Sequence, residues 1–242
     1  MSTASPPTTA SDWTLPLLGG RHHFLLRRLH SLTGIVFGGY LVVHLIINAT
    51  LIEASRHGMD VYQEQVNKIH ALPFLTIVEW LFIYLPILYH TFYGLHITFT
   101  GKPNIANYPY EKNWFYTLQR ISALIIVAFL FFHVLGMKGL LGSRLAFAPA
   151  YATASAAYHM QASWFIRWVI YPVGILASCY HLANGFWTAG ITWGLTVSAG
   201  AQRRWGYACA GLFVLTLVCG MLALYALIRA AHVTQTPWLA TH

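Results

Sequence analysis

Composition and hydropathy predict an all-α integral membrane protein with five transmembrane helices. Of the 242 residues, 57% are hydrophobic and only 8% are charged, whereas a soluble domain carries about 25% charged residues. Five apolar stretches each reach the roughly 20 residues that a helix needs to cross a bilayer core: Arg28–Leu51, Leu72–Thr100, Arg120–Leu141, Ser163–Leu195 and Trp205–Ile228. The first four each carry a histidine deep within an apolar run: His44 in GGYLVVHLIIN, His90 in IYLPILYHTFYG, His133 in VAFLFFHVLGM and His181 in ILASCYHLANG.

Taken in order, the chain opens on a Pro/Ser/Thr-rich tail, residues 1–26, with no basic region followed by an apolar core of the signal-peptide kind. Residues 27–230 form the five-helix membrane domain, and 231–242 form a short C-terminal tail. The longest connections, near 52–71 and 142–162, read as interfacial loops. Net charge is +8, but the basic residues cluster at the ends of the apolar runs (Arg27, Arg28, Arg120, Arg203, Arg204). They suit lipid headgroups and not a nucleic acid. Cys179, Cys209 and Cys219 show no CxxC pairing and read as small apolar residues. With the N-terminus inside, the inner segments carry Arg21, Arg27, Arg28, Lys102, Lys112, Arg120, Arg203 and Arg204. The outer side carries Arg56, Lys68, Lys138, Arg144, Arg167 and Arg229. The positive-inside rule therefore favours a cytoplasmic N-terminus.

An ionisable side chain inside a membrane helix is expensive and marks function. Neutral imidazole is the commonest metal ligand in proteins, and two imidazoles fill both axial positions of a haem iron. Helix rise decides which histidines can pair. His44 lies 15 residues beyond Leu29 and His133 lies 13 beyond Arg120, about 22 and 20 Å from the inner side. His90 is 17 residues past Pro73 and His181 is 17 past Trp164, each about 25 Å from the outer side. His44 therefore pairs with His133 at an outer level, and His90 with His181 at an inner one. The expected architecture is four helices bundled around two stacked haems. Gly94, Gly185 and Gly174 fall near the inner ligand face and would let a macrocycle approach, although small-residue helix packing explains them as well.

Longer motifs point to a family. RRLHSLTG before the first ligand helix, HLIIN around His44, ALPF opening the second helix and LPILYHTFYGLHITFTG around His90 belong together. So do YEKNWFYTLQR, leading to His133, and HLANGFWTAGITWGLTV, starting at His181. From about Arg27 to about Gln202 the chain resembles the cytochrome b membrane anchor of bacterial succinate:quinone oxidoreductases, in the branch with one anchor polypeptide and two haems. The resemblance implies a flavoprotein subunit carrying FAD and an iron–sulfur subunit carrying its clusters, docked on the cytoplasmic face of the inner membrane. It implies a membrane quinone, with menaquinone expected, and it is compatible with higher oligomers of the complex. It gives His90 and His181 to the haem near the iron–sulfur subunit, and His44 and His133 to the distal haem. The succinate site would lie on a partner chain, and the family also contains fumarate reductases running in reverse.

Other polar residues support this scheme. Glu79, the one acid well inside a predicted helix, stands 11 positions before His90, about 20° away on the helical wheel. It is a candidate for proton exchange near an outer quinone site, as is His70 at the outer mouth of the second helix. Arg28, His30, Ser31, Gln119, Arg120 and Ser122 are candidates for contact with haem propionates. Asn48 and Asn184, each about one turn beyond a ligand, are candidates for ligand support or helix–helix contact. His96 is rotated away from His90 and is not expected to ligate. Some fumarate reductases of the family place a proton-carrying glutamate two positions before the fourth ligand, where this chain has Cys179. Two other readings remain open at this stage: a di-haem anchor for a hydrogenase or formate dehydrogenase, and a haem-free channel or transporter. The ALPF, NWFYTLQR and HLANGFW blocks favour the succinate dehydrogenase anchor over the first. The scarcity of membrane acids and the lack of an inverted repeat speak against the second.

Overall fold

A computed structural model describes residues 20–53, 61–102, 104–142 and 145–230. The tail before residue 20, the tail from 231, and Arg56 and Arg144 on the expected outer side lie outside the described residues. Helix α1 is Gly20–Ala49, α2 is Val61–His70, and α3 runs over Leu75–Thr100. Helix α4 is Glu111–Met137, α5 is Ala152–Gln161, α6 runs over Ile166–Thr192 and α7 is Ala199–Ala230. Five of these (α1, α3, α4, α6 and α7) are long and apolar enough to cross a membrane. The protein is a multi-pass membrane protein, and among the described residues there is no strand. Large apolar side chains such as Phe92 and Phe99 stand exposed on the spans, a surface suited to lipid, where backbone groups must be satisfied within each helix.

The spans overrun their apolar cores. Helix α4 starts at Glu111, well before Arg120, and Glu111 in its first turn favours the positive end of the helix dipole. Two spans contain a π-helical turn, Trp80–Tyr84 in α3 and Ile166–Ile170 in α6. Each turn is followed within two residues by a proline, Pro86 or Pro172. A proline ring has no N–H and collides with the carbonyl four residues back, and the wider turn relieves that clash. Phe74, after Pro73 in ALPF, takes a left-handed φ of 58° as the chain turns into α3.

Helix α1 packs on α3 and α7, and α6 packs on α4 and α7, while α3 and α4 meet more lightly. Glycines set the close approaches. A Cβ on Gly220 would come 2.7 Å from Ile175 Cγ2, and one on Gly38 2.7 Å from Leu182 Cδ1. Cys179 and Cys209 are buried thiols that form no disulfide.

The connections differ from the expected loops. Residues 61–70 and 152–161 are helical, and they close one end of the bundle. The α5 sequence ATASAAYHMQ is small enough to pack closely, with Ala152, Ser155, Ala157, His159 and Met160 fully buried. The densest core of the molecule is therefore at the end remote from the start of α1, where Leu51, Tyr62, Val66, Tyr171 and Leu224 surround α5. Helix α2 is amphipathic and carries an exposed Lys68–Glu64 pair at 2.7 Å, which holds the Glu64 carboxyl below its ordinary range. We call this the capped end and the other the amino-terminal end.

Candidate functional site

The four membrane histidines meet in two pairs. The rings of His44 (α1) and His133 (α4) have centroids 6.1 Å apart at an interplanar angle of 78°. Those of His90 (α3) and His181 (α6) are also 6.1 Å apart, at 89°. The pairing matches the depth arithmetic. A metal–imidazole bond is about 2 Å long, so two such bonds, plus about 1 Å from each nitrogen to its ring centre, put the centroids about 6 Å apart. The spacing of both pairs fits one metal held between two imidazoles. No cluster of three or more His, Cys, Asp and Glu side chains forms a metal cage among the described residues. The donor set is two nitrogens per site, which suits axial ligation of a haem and not a zinc centre.

Hydrogen bonds fix three of the four tautomers. A carbonyl can only accept, so His90 Nδ1–H donates to the His30 carbonyl at 3.0 Å, and His181 Nδ1–H donates to the Gln119 carbonyl at 3.2 Å. Each leaves Nε2 as a lone-pair donor, the arrangement usual behind a metal-ligating histidine. Ser122 Oγ, buried, donates to the same Gln119 carbonyl at 3.0 Å and lies 3.3 Å from His181 Nδ1. His133 Nδ1 is 3.0 Å from Tyr171 Oη, which is 2.9 Å from His159 Nε2. His159 Nδ1–H donates to the Leu145 carbonyl at 2.9 Å. Burial holds the His159 imidazole below the ordinary histidine range and outweighs the opposite pull of that bond, so the ring is neutral at pH 7. His44 has a weaker partner: Asn48 Nδ2 stands 3.5 Å from both ring nitrogens and donates instead to the His44 carbonyl at 2.7 Å.

The remaining polar residues divide into engaged and available groups. Gln119 braces α6, its Nε2 donating to the His181 carbonyl at 3.1 Å and its Oε1 accepting from Asn184 Nδ2 at 2.8 Å. Ser31 Oγ accepts from Trp193 Nε1 at 2.9 Å. The Arg28 guanidinium lies over the rings of Trp193 and Phe24, at 4.8 and 5.0 Å. Arg120 sits 3.8 Å over the Tyr116 ring and reaches the Ile97 carbonyl at 3.3 Å, while its Nη1 is buried without a partner. Gly101 faces that guanidinium so closely that a Cβ would collide with it. The His30 ring stacks on His90 at 4.1 Å, and its Nδ1 is also buried without a partner. Tyr93 Oη, Thr117 Oγ1 and Thr196 Oγ1 are in the same state. Five of the six such side-chain atoms among the described residues thus belong to the amino-terminal half, and the sixth is Arg167 Nε. Buried polar atoms are normally satisfied, so this concentration fits a polar, anionic group such as the carboxylates of a haem.

Glu79 is half-buried at the start of the α3 π-turn and interacts electrostatically with Tyr40, whose ring lies 5.6 Å from that of His44. His70 is exposed at the end of α2, and His96 is exposed on α3. The ligand-face glycines have ordinary neighbours. Gly174 is filled by the Phe129 ring, Gly94 faces His30 Cε1, and Gly185 faces Gln119 Nε2 at 3.5 Å.

No family model matches the chain. Among curated proteins it is 32% identical, over 215 residues, to the succinate dehydrogenase cytochrome b558 subunit of Bacillus subtilis (strain 168). The alignment covers 87% of this chain and the whole of that protein. The chain belongs to the succinate dehydrogenase cytochrome b family.

For this cytochrome b family member, sequence reading missed Tyr171, His159, Tyr93, Thr117 and Thr196. One signal was present for His159. Ala152, Ser155, Ala156 and His159 recur at helical spacing in a segment poor in charge, the pattern of a closely packed helix. Tyr171 and the threonines carry no spacing relation that separates them from ordinary helix residues.

Proposed function

We propose that this chain is the membrane anchor of a succinate:quinone oxidoreductase, holding one haem b between His44 and His133 and a second between His90 and His181. The observation that carries the reading is the recurrence of one geometry at two depths: two histidine pairs, each with centroids 6.1 Å apart. Bound there, haem would be held by His44 and His133 at one level and by His90 and His181 at the other, and would supply one-electron redox chemistry. The chain's own part is to orient the ligands. Backbone carbonyls of His30 and Gln119 hold His90 and His181 with Nε2 free. His30 Nδ1 and Arg120 Nη1 are the buried donors available to propionate carboxylates, with Arg28, Ser31 and Gln119 bracing the helices around them.

The amino-terminal end faces the cytoplasm in this reading, in a bacterial cytoplasmic membrane, where an iron–sulfur subunit and an FAD-bearing flavoprotein dock. Held by the two histidine pairs, haem would supply single-electron transfer between the iron–sulfur subunit and a membrane quinone, to the quinone when the flavoprotein oxidises succinate and from the quinol when it reduces fumarate. Menaquinone is the expected quinone. Glu79, next to Tyr40 and therefore near the His44 pair, is the candidate for exchanging the accompanying protons, with His70 the alternative. A reduced-minus-oxidised absorption spectrum of the purified complex tests the reading. Cytochrome b bands that appear on adding succinate, at two haems per anchor chain, are the expected result. Absence of such bands refutes it.

A further inference from the structure

The three groups behind His133 form a chain with only one consistent polarity. The Leu145 carbonyl accepts, so His159 carries its proton on Nδ1 and presents a bare Nε2. Tyr171 then donates its hydroxyl proton to His159 Nε2 at 2.9 Å. With that proton committed, the Tyr171 oxygen accepts from His133 Nδ1–H at 3.0 Å. A backbone carbonyl on the loop before α5 thus decides, through two side chains on α5 and α6, which nitrogen of His133 keeps the lone pair. His159 and Tyr171 are both buried, His159 completely, and water does not compete for these bonds. His90 and His181 reach their carbonyls directly, and His44 has no close acceptor at all. The relay is therefore the strongest tautomer control at its level.

We infer that Tyr171 and His159 are positioning residues that lock His133 as the Nδ1–H tautomer and raise its basicity, and so set the redox potential of the haem at the capped end. This inference rests on the ligand assignment proposed above. Accepting a hydrogen bond from Nδ1–H makes an imidazole more electron-rich, which favours ferric iron and lowers the potential. Glutamine at position 159 can keep the polarity, since its Oε1 accepts from Tyr171 and its amide donates to the Leu145 carbonyl.

The test is a potentiometric titration of both haems in the purified complex, comparing the wild type with Tyr171→Phe, His159→Ala and His159→Gln. In Tyr171→Phe and His159→Ala the potential of the haem at the His44–His133 pair should rise by up to about 59 mV, a fall of up to about tenfold in the ferric-to-ferrous ratio at a fixed ambient potential. The other haem should not move, and His159→Gln should restore most of the shift. Where Tyr171→Phe fails to keep its haem, His159→Ala carries the test. Two haems with potentials unchanged in His159→Ala, or equal shifts of both, would overturn the inference. A wild-type complex without haem would instead refute the ligand assignment.

Discussion

At the amino-terminal end His90 and His181 lean directly on main-chain carbonyls, whereas at the capped end His133 reaches its carbonyl through two side chains. The surroundings differ in the same sense. The amino-terminal end gathers His30 Nδ1, Tyr93 Oη, Thr117 Oγ1, Arg120 Nη1 and Thr196 Oγ1, all buried without partners. The capped end is closed by α5, whose Ala152, Ser155, Ala156 and Ala157 are buried to within a few per cent of their surface. One end gathers buried polar atoms without partners, and the other combines close packing with polar side chains that are hydrogen-bonded, Gln63, Ser155 and His159 among them. Equal histidine spacing at the two levels thus rests on unequal support, so perturbations at each end should stay local.

The largest effects should come from the ligands themselves. His90→Ala or His181→Ala should remove the haem proposed at the amino-terminal end and weaken docking of the soluble subunits, because a group held there would brace this half of the bundle. His44→Ala or His133→Ala should remove the other haem and leave succinate oxidation by an artificial acceptor largely intact. Haem stoichiometry and subunit co-purification read both. Loss of the same haem in all four variants would erase the distinction between the ends.

Met160→Ala comes next. It removes a fully buried side chain from the cap and should cost about 2–5 kcal/mol locally. Heat-induced loss of haem should then begin at the His44–His133 site at a lower temperature, with the His90–His181 site unaffected. If both sites loosened together, the cap would be supporting the whole bundle.

Glu79→Gln should act more mildly, keeping both haems while quinone-dependent turnover falls at least about tenfold, a lower bound against the roughly 10²–10⁴-fold that a positioned acid–base group contributes. Turnover with an artificial acceptor should be unchanged. Normal quinone turnover would return Glu79 to a structural role and move attention to His70. The smallest effect is expected for His96→Ala, on an exposed face of α3, where haem content and turnover should match the wild type.

The spans and the histidine pairing were legible in the sequence because both rest on strong, one-dimensional signals. A run of apolar residues fixes a membrane helix, and a rise of about 1.5 Å per residue turns spacing into depth. The cap was not legible. In ATASAAYHMQ the small residues are spread over several faces, so the helical spacing of Ala152, Ser155, Ala156 and His159 stands out little as amphipathic contrast, and its burial comes from α2, α6 and α7 closing over it. His159 and Tyr171 sit in different elements and meet only in the folded chain. At the other end His30 and Gln119 were identified by their positions near ligand faces, and Arg120 by its place at an inner helix end. Their division of labour came from packing: Gln119 is spent on bracing His181, while His30 and Arg120 keep buried atoms free. Gly174, on the ligand face by spacing, is occupied by Phe129 because α4 and α6 approach closely there.

Haem counting in paired double variants of the purified complex tests the two-site assignment most directly. Within-pair doubles, His44→Ala with His133→Ala or His90→Ala with His181→Ala, should each retain one haem b per chain. The cross-pair double, His44→Ala with His90→Ala, should retain none. One haem surviving in the cross-pair double, or none in either within-pair double, would contradict the assignment of His44 with His133 and His90 with His181.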